Sequence, residues 1–463
     1  MYKFPQRPIF YKNSRSNLFR ALLWIFLAIA GIYILRSIST GAMRSPFEPT
    51  PTPTRTANSY ALEGDALFTA GQLEAAITAY SQAVSVDPKA ADIWAKLARI
   101  QTYSSASMTT DDQRRTRLQE ALTSANKAVE LAPEDSTAHA ILAFVLDWNA
   151  SPIYVGDQTQ EYLTKAEQEA VRALTLDNTN TLALAFYAEI LTDEQKLDQA
   201  QANIEQAVQK DPSLMDVHRV YAYVLESTGQ YRQAIEEYDK AIAIAPNMTF
   251  LIVRAGAIYR HLQDYENALA YFDKAAKLNE ALKIKDPTPN LSIAKTYSQQ
   301  GEFFNAARNV LKALSYDQAN ADTYGQLGIV FFKSRNYEGS ILPLKCAVKG
   351  CTAQESCDAR NGCDATAGET GVEVKGLDLS PNSVVYYYTY GSVLSALSRP
   401  QQNYCPEAMD VFAQVRKGFG NDPNIMPIVQ AGEDICLALA EKLGTAILPI
   451  PTSIPEITPT ATP

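Results

Sequence analysis

The chain has 463 residues, of which 46% are hydrophobic, a composition typical of a folded protein rather than a disordered one. Its formal net charge is -10. Residues 1–44 carry seven basic and no acidic residues, so the remainder has 34 basic and 51 acidic residues. This acidic body argues against a nucleic-acid-binding protein, because phosphate backbones require a basic surface.

One long apolar run follows the basic start, between Arg20 and Arg36. It predicts a transmembrane signal-anchor helix over residues 18–36, preceded by a basic cytoplasmic tail at residues 1–17. The Lys and Arg excess before the run predicts that the rest of the chain lies outside the cytoplasmic membrane, at the cell surface or in the periplasm. A cleaved signal peptide is the alternative, and residues 40–42 would be a poor cleavage site for it. Both interpretations place residues 45–463 outside the cytoplasm.

Residues 45–56 and 445–463 are rich in Pro and Thr. Proline removes a backbone donor and fixes φ, so such segments do not form helices or sheet interiors. We expect the first to be an extended linker and the second a disordered tail. Both could carry O-linked sugars, but an unmodified spacer is the simpler interpretation.

Between these segments a helical pattern returns nine times, with a spacing of 34 residues between its clearest copies. In the fifth copy the residues are Tyr221, Ala222, Leu225, Gly229, Ala234, Tyr238, Ala241 and Pro246. A small residue recurs midway along the first helix, where it lets two antiparallel helices approach closely. These residues are Gly64, Ala98, Ala143, Ala188, Ala222, Gly256, Ala294, Gly328 and Gly391.

This pattern resembles the tetratricopeptide repeat family over residues 57–423. The resemblance implies an all-α fold: a right-handed α-solenoid of about nine helix hairpins. Such a stack needs a cap at its end, and residues 424–444 are predicted to form that capping helix. Two hairpins have extra residues between their helices, at 102–113 and 151–160, which we expect to project on one edge. A larger insertion lies at residues 350–381.

All six cysteines follow residue 345, and an even number outside the cytoplasm predicts disulfides. Cys405 begins a helix and Cys436 lies towards the end of the antiparallel cap, so we predict that these two pair. The other four, for which three pairings are possible, are Cys346, Cys351, Cys357 and Cys363. A zinc site is the less favoured alternative, because no Cys-x-x-Cys motif is present.

The sequence offers little catalytic chemistry. His139, His218 and His261 are the only histidines, and no Ser or Cys nucleophile has a partner suggested by spacing. Glycine-rich phosphate loops and metalloprotease motifs are absent from the sequence. We therefore predict a protein that is not an enzyme, has no cofactor and no metal, and uses its histidines for packing.

The resemblance implies that the first helices line a concave groove, which suits an extended peptide or a partner helix. Nine residues are predicted to contact a partner there: Phe144, Glu189, Arg219, Tyr223, Phe250, Arg260, Lys295, Phe332 and Tyr388. The Lys/Asn clamp with which some family members hold a C-terminal carboxylate is missing at Asp65, Arg99 and Phe144.

Two functions are compatible with these features. The first is a membrane-tethered scaffold that binds a protein or peptide partner in the groove. The alternative is a structural component of the cell envelope that self-associates through the stack, which makes a homo-oligomer possible.

Overall fold

The computed structural model describes residues 17–40, 55–363 and 370–444. Most of the predicted basic tail and of the Pro/Thr linker, and all of the predicted C-terminal tail at residues 445–463, lie outside the described residues. The chain divides into two compact units, residues 1–55 and residues 56–463. All regular elements in the described residues are helices.

The first unit contains one helix, α1 (Leu18–Ser39), of 22 residues. At about 1.5 Å per residue it is about 33 Å long, against about 30 Å for the hydrocarbon core of a bilayer. Its mean hydropathy over residues 18–37 is 2.3. The helix is therefore long and apolar enough to cross a membrane, a property that it would share with a signal sequence.

Within its described residues, the second unit forms nine antiparallel helix hairpins, as the repeat pattern predicts. The first five pair α2 (Ala57–Thr69) with α3 (Leu73–Val86), α4 (Ala91–Ser104) with α5 (Asp111–Leu131), α6 (Ser136–Asn149) with α8 (Thr159–Leu176), α9 (Thr181–Asp193) with α10 (Leu197–Lys210), and α11 (Met215–Ser227) with α12 (Tyr231–Ile244). The last four pair α13 (Thr249–His261) with α14 (Tyr265–Leu282), α15 (Thr288–Gln299) with α16 (Phe303–Tyr316), α17 (Ala321–Lys333) with α18 (Tyr337–Val348), and α20 (Val384–Leu397) with α21 (Cys405–Phe419). The short helix α7 (Pro152–Val155) lies inside the third hairpin.

The small residues of the pattern act as the repeat spacing predicts. Ala222 is fully buried, and a Cβ built on Gly256 would lie 2.7 Å from the Phe272 ring of the second helix. A larger residue at either position would push the two helices apart. The turn inside each regular hairpin requires a left-handed residue, which is Gly229 in the fifth hairpin and Gln195 in the fourth.

The insertion of the second hairpin does not project freely from one edge, which corrects that expectation. Residues 105–110 reach later hairpins: the Ser107 carbonyl accepts from Thr288, and Thr109 accepts from Asn320. Asp111, at the start of α5, accepts from Ser380 and Asn382, each at 2.7 Å. The insertion therefore joins the second hairpin to the seventh, the eighth and the segment before the ninth.

The C-terminal region is held by three disulfides. Cys405 and Cys436 are joined, which is the pairing chosen from the sequence, and the other bonds are Cys346–Cys351 and Cys357–Cys363. The predicted insertion at 350–381 also contains a seven-residue helix, α19 (Ala353–Ala359). The last helix, α22 (Met426–Leu443), packs on α20 and α21 and covers the end of the stack.

Candidate functional site: the inner face of the solenoid

The first helices of neighbouring hairpins pack side by side and form the inner face of the solenoid. A buried ion pair links two of them, because Arg219 of α11 donates to both carboxylate oxygens of Glu189 on α9, at 2.7 and 2.5 Å. The Trp148 indole donates to the same carboxylate at 3.1 Å. Glu189 is thus fully engaged inside the protein.

Contacts also cross the groove between hairpins that are distant in sequence. Arg99 and Tyr103 of α4 both donate to Asp216 of α11, more than 110 residues away. Burial alone would raise the pKa of Asp216, but its bonds to Arg99 and Tyr103 hold that pKa below its usual value. The second and fifth hairpins are therefore joined through a buried charge network.

Aromatic rings fill the space around this network. Tyr103 stacks on Phe250 of α13 with ring centroids 5.3 Å apart, and Phe144 stacks on Phe186 at 4.4 Å. The Arg219 guanidinium lies 5.4 Å from the ring centroids of both Tyr103 and Phe144. Such contacts between cations and aromatic rings are strengthened when water is excluded.

Three of the residues predicted to contact a partner are consequently buried within the chain. Phe144 is fully buried, and Glu189 and Arg219 are 4% and 5% exposed. This corrects the expectation that they face a partner, because the network across the groove closes over them. Tyr223 and Phe250 are half-buried and remain accessible from a cavity.

That cavity, here called the acidic cavity, has a volume of about 680 Å³ and lies where α6, α9 and α11 end. Its walls include Asp147, Trp148, Asp193, Tyr223 and Phe250. Burial of the carboxyl group raises the pKa of Asp193 to about 6. The hydrogen bond from Tyr223 lowers this pKa, whereas the nearby charge of Glu189 raises it further. Burial raises the pKa of Asp147 well above its usual value, and Asp193 and Glu189 add to this effect.

A second cavity, of about 370 Å³, is lined by three cations, Arg260, Lys295 and Lys333, and is here called the basic cavity. Two of these cations are residues that were predicted to contact a partner. Among the described residues none forms an ion pair with any of the three. Burial lowers the pKa of both Arg260 and Lys295, because the charged forms lose water.

The remaining two predicted residues lie in the C-terminal part of the solenoid. Phe332 and Tyr388 are half-buried and pack against the hydrophobic cluster formed by α18, α20, α21 and α22. The Phe332 ring also contacts Tyr337, with centroids 5.6 Å apart. Neither side chain lines the acidic or the basic cavity.

Two of the histidines have the same structural role two hairpins apart. His139 and His218 each contact a glutamate through Nδ1, at 2.5 and 2.6 Å, and a proline carbonyl through Nε2, at 2.9 Å. The prolines end the preceding hairpins, so each histidine ties a first helix to the helix before it. In the described part of the chain no group of three or more His, Cys, Asp or Glu residues is placed to hold a metal ion.

Sequence reasoning missed Tyr103, Asp193 and Asp216 as members of the inner face. Asp216 and Asp193 lie in the first and last turns of their helices, where acidic residues are ordinarily solvated. The sequence signal that could have revealed them is an acidic residue on an otherwise apolar helix face. The repeat spacing does not predict their partners, because these lie on hairpins that are not adjacent in the repeat order.

Comparison with known proteins agrees with this architecture. Family models described as TPR repeat and tetratricopeptide repeat match residues 64–101, 191–249 and 251–282. One curated relative, anaphase-promoting complex subunit 3 of Schizosaccharomyces pombe, is 33% identical over 110 residues. That match covers 23% of this chain and only 16% of the yeast subunit.

The solved structures that match this chain include the APC/C hetero-tetramer Cut9-Hcn1. It is 15% identical, with 74% of this chain and 57% of that chain covered and a TM-score of 0.45. The thermophilic TPR protein TTC0263 of Thermus thermophilus is 19% identical, with a TM-score of 0.36. That match covers 44% of this chain and 98% of the Thermus protein. PilF of Pseudomonas aeruginosa is 18% identical, with a TM-score of 0.34. That match covers 54% of this chain and 97% of PilF.

The repeat models match four of the hairpins in whole or in large part, and the remaining hairpins follow the same design of small residues and paired helices. The chain is a tetratricopeptide repeat protein.

Proposed function

We propose that this chain is a non-enzymatic scaffold that binds a segment of a protein partner in the basic cavity of its groove. Tetratricopeptide repeats generally mediate protein–protein interaction, which supports this class of function. The observation that carries the proposal is that Arg260, Lys295 and Lys333 line one cavity and that none of the three forms an ion pair with a described residue; the nearby charge of Asp322 only opposes the lowering of the pKa of Lys295. Because no ion pair within the described residues neutralises these three cations, an acidic segment of a partner would be stabilised there.

The proposal includes display outside the cytoplasmic membrane, with α1 as the anchor. Three features support this location: the apolar helix α1, the basic residues that precede it, and three disulfides. Disulfides persist in oxidising compartments, and basic flanks stay on the cytoplasmic side. The groove would then face partners of the cell envelope.

Charge reversal at Lys295 tests the binding proposal. Affinity capture of the tagged full chain from its native membranes should recover a partner with the wild-type protein and lose it with Lys295→Glu. Lys210, an exposed residue at the end of α10, provides the matched control, and Lys210→Glu should leave capture unchanged. Equal recovery by both variants would contradict the proposed role of the basic cavity.

A further inference from the structure

The insertion of the second hairpin reaches the edge of the basic cavity, a contact that the scaffold function does not explain. Residues 105–111 of this insertion, here called the strap, end at Asp111, the first residue of α5. Asn382, which donates to Asp111 at 2.7 Å, also lines the basic cavity. The strap therefore brings a carboxylate of the chain itself to a wall of the site at which an acidic segment of a partner would bind.

Single hydrogen bonds that involve side chains hold the strap to the later hairpins. Asn320 donates to Thr109, and Thr288 donates to a backbone carbonyl of the strap at 3.4 Å. Ser380 donates to the second carboxylate oxygen of Asp111 at 2.7 Å. Among the described residues no backbone–backbone hydrogen bond joins the strap to these hairpins. Such bonds contribute little net stability where water replaces them as they break.

Two cavities flank the strap, each with a volume of about 520 Å³. One lies between the strap and residues 375–383, and the other lies between the strap and residues 282–288. No strap residue belongs to a hydrophobic cluster of the described chain. The strap can therefore leave the later hairpins without exposing a hydrophobic core.

The closed strap also brings two carboxyl groups near each other. Burial raises the pKa of Asp322, and the charge of Asp111 adds to this effect. Tyr386 and Gln326, which line the basic cavity, donate to Asp322 at 2.7 and 2.6 Å and lower that pKa. Repulsion between the two carboxyl groups opposes closure, so the hydrogen bonds to Asp111 hold the strap against it.

We propose that the strap is autoinhibitory: Asp111 occupies Ser380 and Asn382 in the free protein, and an acidic segment of a partner takes Asn382 as it binds, which releases the strap. This inference rests on the proposed function, because the segment is the one that the basic cavity would bind. A protein whose binding-competent form is only partly populated binds with an affinity reduced by that fraction. Release of the strap should therefore tighten binding.

Hydrogen exchange of the full chain in detergent tests the strap in the absence of a partner. Asp111→Ala removes both acceptors, so exchange at residues 105–110 should be at least three-fold faster than in wild type. Asp112→Ala is the matched control, since Asp112 is an exposed acid in the same helical turn and pairs with Arg115 at 2.9 Å. Exchange at residues 105–110 that is unchanged in Asp111→Ala, or raised equally in both variants, would overturn the inference.

Fluorescence anisotropy tests the effect on binding, with a labelled octaglutamate amide as the acidic probe. Asp111→Ala should bind this peptide at least three-fold more tightly than Asp112→Ala, although the two variants have the same net charge. Unlabelled octaglutamate amide should also accelerate exchange at residues 105–110 of the wild type, whereas octalysine amide should not. Equal affinities of the two variants would contradict an autoinhibitory strap.

Lys295→Glu distinguishes failure of the strap from failure of the proposed function. It should weaken binding of the octaglutamate amide at least ten-fold in the wild-type and Asp111→Ala backgrounds, and it should leave the fast exchange of Asp111→Ala unchanged. If Lys295→Glu bound the peptide as tightly as wild type, or if no form of the protein bound it, the proposed function would fail. The regulation that rests on it would then fail as well, whatever the exchange measurement showed.

Discussion

At the residue scale, the inner face combines carboxyl groups held in opposite states. Asp216 is kept ionised by Arg99 and Tyr103, whereas the pKa of Asp193 is raised to about 6. These differences arise from their partners: Asp216 faces a guanidinium, and Asp193 faces a phenol and other carboxyl groups. As the pH rises, Asp216 and Asp193 therefore change the free energy of unfolding in opposite directions.

The raised pKa of Asp193 predicts how stability changes with pH. The unfolded carboxyl has a pKa of about 3.9, so between about pH 4 and pH 6 the folded state binds more protons and its free energy of unfolding falls as pH rises. Asp193→Asn removes this contribution. The variant should therefore gain stability relative to wild type as the pH rises from 4 to 7, measured by urea unfolding in detergent.

A matched variant distinguishes this effect from a general loss of charge. Asp157→Asn also removes one carboxyl group, at an exposed position in the third hairpin, and the pH dependence of its difference from wild type should be smaller than that of Asp193→Asn. Parallel profiles for wild type and Asp193→Asn from pH 4 to pH 7 would show that the pKa of Asp193 is not raised in the folded protein, and would contradict this prediction.

Residues of the repeat pattern could be placed from the sequence, but contacts across the groove could not. Gly256 and Ala222 recur at fixed spacing, and local helix packing determines their environment. The bond between Tyr103 and Asp216 depends instead on how far the stack curves over three hairpins, because small rotations add up along the repeats. For the same reason, the sequence predicted Phe144 and Arg219 as surface residues, although the structure buries them.

At the element scale, the end of the solenoid depends on one ring held between two glycines. A Cβ on Gly391 of α20 would lie 2.5 Å from the Phe412 ring, and a Cβ on Gly432 of α22 would lie 2.3 Å from it. The three helices α20, α21 and α22 therefore approach closely only because both positions lack a side chain. This arrangement explains how the capping helix is joined to the last hairpin.

Gly391→Ala should destabilise this region by about 1–3 kcal/mol, because overpacking outweighs the gain in helix propensity. Phe412→Leu makes room for the new methyl group, so the cost of Gly391→Ala should be smaller in that background. Chemical unfolding of the wild type, the two single variants and the double variant measures this coupling. Gly418→Ala is the control, since its Cβ would meet only the end of the Leu379 side chain at 3.0 Å; equal costs at Gly391 and Gly418 would contradict the account.

The disulfide between Cys405 and Cys436 closes a longer segment than the other two bonds, with a separation of 31 residues against 5 and 6. On the chain-entropy account it contributes about 4 kcal/mol, and each short bond about 2 kcal/mol. Replacement of both cysteines by serine should therefore increase hydrogen exchange in α21 and α22. Earlier hairpins should be unaffected, because stability in such stacks depends on nearest neighbours. Faster exchange throughout the solenoid would contradict this local role.

The elements themselves were largely predictable, whereas the path of the insertions was not. Helical periodicity and the small residues located nine hairpins and the cap, and the antiparallel geometry of the cap suggested the Cys405–Cys436 pairing. The sequence of residues 105–110 shows no pattern from which the contacts with Thr288 and Asn320 could be predicted. Its position follows from the curvature of the whole stack.

At the scale of the whole molecule, the inner face has two parts with different roles. Arg99, Tyr103 and Asp216 close the groove between the second and fifth hairpins, and the insertion at 105–110 extends these contacts to later hairpins. The basic cavity, beside the sixth to ninth hairpins, stays open. We therefore expect partner binding at the C-terminal part of the groove, while self-association through the stack remains the alternative.

The most direct test of this account is a photo-crosslink from the basic cavity. Gln299 lines that cavity and is exposed, whereas Phe304 is 82% exposed on the second helix of the same hairpin. With p-benzoylphenylalanine at each position in turn, illumination in native membranes should give a protein adduct from position 299 that is lost with Lys295→Glu, and none from position 304. An adduct from position 304 alone, or one from position 299 that survives Lys295→Glu, would contradict binding in the basic cavity.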